Sequence, residues 1–130
     1  MSHTNPSELI TVELDRLKNS STVFFTDNYD IVVGMRSLSN QIVQCYATTN
    51  PKHTLKLIVR MAAILTVYFE ADGTKGLPRG EHKSMGHGIL TLVNNVNRAE
   101  EALMREGRLD AKSHLMTALA TLHKLISQYA

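Results

Sequence analysis

Apolar side chains return every three or four residues through most of this chain, and that spacing constrains its fold more than any other feature. Ile31, Met35, Leu38, Ile42 and Cys45 form one such series, which predicts a helix from a Thr26 or Asp27 cap to about Ala47. Leu55, Ile58, Met61, Ala62, Leu65 and Phe69 form another, opened by Asn50-Pro51 and closed near Asp72-Gly73. Asn5-Pro6 opens a shorter one, with Asn5 as cap, Pro6 in the first helical position and Glu8 able to bond back to the cap. Its stripe of Leu9, Ile10, Leu14 and Leu17 runs to about Lys18.

Two further helices follow from the same period. Ile89, Leu92, Val93, Val96, Ala99 and Leu103 mark a fourth, stopped at Gly107. Asp110 is the expected cap of a fifth, carried on by Leu115, Ala118, Leu119, Leu122, Leu125, Ile126 and Tyr129. Val23-Phe24-Phe25 reads as a strand fragment or an apolar wedge, and one fragment cannot make a sheet. The joints around Asn50 and Gly107 are short enough to fold their flanking helices back on each other. The expectation is an all-α fold: a four- to five-helix bundle built from two antiparallel helix hairpins with a leading short helix, as one domain over residues 1–130. No second copy of any helix pair appears at the ~34-residue period of tetratricopeptide-type arrays.

The third helix is apolar around most of its girth from Leu57 to Phe69, which suits a central element and hints at self-association as a homodimer through helices two, three or five. Most of the methionines (Met35, Met61, Met85, Met104 and Met116) fall on or near apolar stripes and read as core.

A chain of 130 residues, 43% apolar, has room for one core and no second. No window approaches the ~20 apolar residues of a membrane span, and Met1 to Glu8 is polar rather than signal-like, so the reading is a soluble, cytoplasmic protein without a membrane partner. The lone Cys45 excludes an intrachain disulfide and reads as a buried apolar side chain.

The net charge of +2 is too small to call for nucleic acid, but it is unevenly placed. Residues 73–88 hold Lys75, Arg79 and Lys83 against Glu81 alone, along with His82, His87 and five of the seven glycines. Connections inside bundles run ~2–8 residues, so a longer one calls for a reason. Glycines let backbone N–H groups approach a ligand, and a following helix start offers its positive dipole end. Lys75, Arg79, His82, Lys83 and His87 are therefore the candidate ligand-binding residues, for an anionic ligand or protein partner. The loop is no Walker A motif, because Gly80 is followed by Glu81 and His82 rather than Lys and Ser or Thr.

Two other chemistries compete. A small metal-dependent phosphohydrolase acting on a nucleotide or phosphate ester would use Glu70, Asp72, His82 and His87 as ligands. On a helix, however, His82 and His87 would stand ~140° apart. A nucleic-acid binder would use residues 73–88 with Arg98, Arg105 and Arg108, a stripe interrupted by Glu100, Glu101 and Glu106. No Gly-x-Ser-x-Gly elbow and no cofactor motif is present, so the chain reads as a non-enzymatic binding or regulatory protein, homo-oligomeric and without catalytic residues or cofactor.

Overall fold

A computed structural model describes residues 6–19, 28–48, 50–71, 84–105 and 108–129, and every secondary-structure element in them is an α-helix. These are α1 (Pro6–Asn19), α2 (Asn28–Ala47), α3 (Pro51–Ala71), α4 (Met85–Arg105) and α5 (Arg108–Tyr129). The all-helical reading holds. The expected caps Asn5, Thr26 and Asp27 and the Val23-Phe24-Phe25 run lie outside the described residues.

The α2/α3 joint shows how the sequence sets these ends. Pro51 forces Asn50 toward extended backbone, the conformation a cap needs, and Asn50 Oδ1 accepts the His53 N–H at 3.2 Å. The Asn50 carbonyl accepts both the Thr54 N–H (3.0 Å) and its hydroxyl (2.7 Å). On the other side, the Thr48 hydroxyl and the Asn50 N–H both reach the Cys45 carbonyl at 3.1 Å, which satisfies an acceptor the last turn of α2 would otherwise orphan. Two starts differ from expectation. Helix α4 begins at Met85 rather than near Ile89, because Ser84 supplies a cap despite the glycines that follow, and α5 begins at Arg108, which puts Asp110 inside its first turn instead of before it.

Helix α2 packs against α3 and α4, and α5 packs against the same two, so the four close a ring in the order α2, α3, α5, α4. Helix α1 lies outside the ring on α3, with an edge on α5. Ile31, Met35, Ile42, Ile58, Met61, Leu65, Leu92, Leu115, Leu122, Leu125 and Ile126 fill the centre and are almost wholly shielded from water. Each such side chain contributes about 1.5–3 kcal/mol of burial free energy, which makes this ring the main source of stability.

Helix α3 is the enclosed element. Every residue from Leu57 to Leu65 except Arg60 is buried, because α1, α2 and α5 surround it. Its apolar girth is thus covered from within the chain and gives no argument for self-association. The large apolar side chains left open among the described residues are Val12 on α1, Val33, Val43 and Tyr46 on α2, and Leu90 and Met104 on α4. Met35 and Met61 are in the core and Met85 and Met116 pack against it, while Met104 is 81% exposed and Cys45 is half-buried at the edge of the core.

Side-chain contacts fix directions. Tyr46, near the end of α2, lies over Gly86 at the start of α4, so close that a Cβ there would stand 3.0 Å from the tyrosine oxygen. Arg36, a few turns earlier on α2, donates to both carboxylate oxygens of Glu100 at 2.9 Å. Helices α2 and α4 therefore run in opposite directions. Lys112, in the first turns of α5, stands 5.9 Å from the ring centre of Tyr68 near the end of α3. On α1, Glu13 accepts from the Arg16 Nε at 2.9 Å and approaches the Arg60 Nε of α3 at 3.8 Å, which ties α1 to the ring.

Candidate functional site

The segment singled out by its cations is described from Ser84 onward. The Ser84 hydroxyl accepts the His87 N–H at 3.2 Å and its carbonyl accepts the Gly88 N–H at 2.8 Å, a side-chain cap followed by the first helical bond. Residues 85–88 are therefore the first turn of α4, not loop. Gly88 is buried, and Gly86 admits the Tyr46 ring, so these two glycines serve packing rather than ligand approach. Of the five candidate ligand residues, His87 is exposed on that first turn, while Lys75, Arg79, His82 and Lys83 lie outside the described residues.

The structure brings together something the linear reading missed. The sequence has no Asp or Glu between Asp30 and Glu70, none between Glu81 and Glu100, and none after Asp110. The Tyr46–Gly86 contact puts the end of α2 beside the start of α4, and the joint at Asn50 puts the start of α3 there too. Helix α5, which starts beside the end of α3 and packs along both α3 and α4, brings its own last turns to the same end. The four helix ends that these three stretches supply thus meet at one end of the ring. Exposed Lys52, Lys56 and Lys124 stand on it, with exposed His53 and His87. The carboxylate-free runs are legible along the sequence; that their ends meet is not, because it depends on how the helices pack.

At the opposite end the charges are mixed. Glu100 is held by Arg36, and Glu101, Arg98 and Arg105 are exposed, so the arginine set considered for nucleic acid is interleaved with carboxylates in the structure as well. Arg108 opens α5. His123 on α5 is half-buried, and loss of hydration lowers its pKa from the ordinary histidine value.

For the metal reading, Glu70 belongs to the last turn of α3, Asp72 and His82 lie outside the described residues, and His87 is at the start of α4. No group of three or more His, Cys, Asp or Glu able to hold an ion occurs among the described residues, nor does any described helix have the length and apolarity to cross a membrane.

Comparison of the chain with protein-family models, with curated proteins and with solved structures finds no match.

Proposed function

We propose that this chain is a small non-enzymatic binding or regulatory protein of the cytoplasm. In this reading its helices form two antiparallel hairpins, α2 with α3 and α4 with α5, with α1 as the leading helix, and the protein works as a homo-oligomer. It engages an anionic ligand or an acidic protein partner at the end of the ring where residues 73–88 lead into α4.

The observation that carries this reading is the pooling of carboxylate-free helix halves at that end. A cation whose neighbours include no carboxylate keeps its field directed at solvent instead of spending it on an internal pair. Several such cations on one face raise the local concentration and on-rate of an anionic partner. Lys52, Lys56 and Lys124 supply the fixed part of that field, and Lys75, Arg79 and Lys83 add to it in this reading.

The test uses a fluorescent poly-glutamate peptide and anisotropy titration of the full chain. Joint substitution of Lys75→Glu, Arg79→Glu and Lys83→Glu should weaken binding at least tenfold and leave the helical circular-dichroism melt unchanged. Binding that survives the triple substitution overturns the assignment to residues 73–88. Binding absent from the unaltered chain overturns the anionic-partner reading altogether.

A further inference from the structure

We infer that α1 is a detachable cover: it undocks from α3 while the ring of α2 to α5 stays folded, and its release bares an apolar strip on the back of α3. The strip exists because α3 is apolar on both sides. Met61 is fully buried in the centre of the ring. Val59 and Ala63 stand two residues either side of it, about 200° round the helix, so they lie on the face turned away from that centre. They are buried all the same. Helices α2 and α5 flank α3 within the ring, which leaves α1 to shield this back face. Arg60, next to Val59, meets Glu13 of α1 and marks the crossing.

The hold of α1 on that face is slight. Of its side chains from Glu8 to Arg16, Ile10 alone is buried, Leu9 and Leu14 are half-buried against the core, and Val12 is exposed. Each helix of the ring buries six or more residues. Apolar burial is the main force between packed elements, so α1 is the helix held least firmly.

The polar contacts lean the same way. Glu13 is 3.8 Å from Arg60 Nε, beyond hydrogen-bond reach, and that Nε is buried without a hydrogen-bond partner. A buried donor left unpaired opposes the packing that buries it, and water satisfies it once α1 leaves. The closer partner of Glu13 is Arg16 on its own helix, whose Nε donates at 2.9 Å, and that pair travels with α1. Length adds to this. Helix α1 has 14 residues against 20 to 22 in each ring helix, and helices shorter than ~12–15 residues are marginal in water by themselves. Undocking and unwinding are therefore one step, and the strip of Val59 and Ala63 opens with it.

Hydrogen–deuterium exchange of the full chain, read by mass spectrometry, tests this. The amides of α1 should exchange about a hundredfold faster than those of α3 and α5, yet more slowly than an unstructured peptide. Leu92→Ala, which weakens the ring, should speed exchange in α3 and α5 but not in α1. Arg60→Met keeps an apolar stem and removes the unpaired donor, so it should slow α1 exchange about tenfold. Ile10→Asp should lose the helical signal of α1 alone and let Nile red, an uncharged dye, bind the bared strip while the ring still unfolds cooperatively in urea. The inference is overturned by α1 amides that exchange in step with the ring or as fast as an unstructured peptide. It is overturned equally by an Ile10→Asp chain whose ring unfolds as well, or by an Arg60→Met chain whose α1 exchange is unchanged.

Discussion

Asn50 offers a sharp test of how local chemistry holds the end of the bundle where the cations gather. Its side chain caps α3 through one bond to the His53 N–H, while its carbonyl accepts the Thr54 N–H and hydroxyl whatever side chain it carries. Asn50→Ala therefore removes one bond and no other. Loss of such a cap costs about 0.5–2 kcal/mol. The bond is 3.2 Å long and Asn50 is exposed, so the released N–H is rehydrated, which places the loss near 1 kcal/mol. Unfolding entropy of ~2.1 cal/mol/K per residue over 130 residues converts that to a fall of about 4 °C in Tm. Asn50→Gly should lose only a few tenths of a kcal/mol, because Pro51 keeps the preceding residue extended and water can reach the open N–H. Asn50→Asp should match or exceed the native residue, since a carboxylate favours the positive helix start. The assay is urea unfolding with matched m-values. A variant ranking in which Ala equals Asn, or Gly falls below Ala, would refute the capping argument.

Two other outcomes can be checked on the same instrument. Leu92 is fully buried in the ring, so Leu92→Ala should cost about 3 kcal/mol, and a loss under about 1 kcal/mol would mean that the four-helix centre is not packed as described. His123 has its pKa lowered by burial, so the unfolded chain binds the proton more readily. Stability should be complete above the ordinary histidine pKa of ~6.5 and decline as pH falls below it, with a slope of at most about 1.4 kcal/mol per pH unit. In His123→Gln that part of the pH dependence should vanish, and an unchanged slope would assign it to other groups.

The helices were legible in the sequence because each buries a stripe, and a stripe leaves a period. Ile31 through Ile42 and Leu115 through Ile126 fell where the period placed them. Helix starts were less legible. The glycines at 86 and 88 argue against helix when read alone, and only the Ser84 cap and the Tyr46 ring over Gly86 show why helix wins there. The covering of α3 could not be read either, since period reports how much of a helix is apolar but not which neighbour hides it. Leu90 and Met104 stand in the open, as their place off the Ile89–Leu92–Val96–Ala99 stripe of α4 implies. As for the site, His87 is exposed on the first turn of α4, while the carboxylate-free end needed four helix halves to be brought together before it existed as a surface at all.

The directions of the helices also set how short the chain may be between α3 and α4. Tyr68 beside Lys112 puts the end of α3 near the start of α5, whereas Tyr46 beside Gly86 puts the start of α4 next to the end of α2. Ala71 and Ser84 thus stand a helix length apart, roughly 30 Å for the 21 residues of α4. A fully extended chain gains at most ~3.6 Å per residue, so about nine residues are the fewest that reach. The two- or three-residue turns that suffice elsewhere in this chain could never make that passage. Deleting a few residues from this segment leaves the bundle joinable; deleting half of them would tear one helix from its seat.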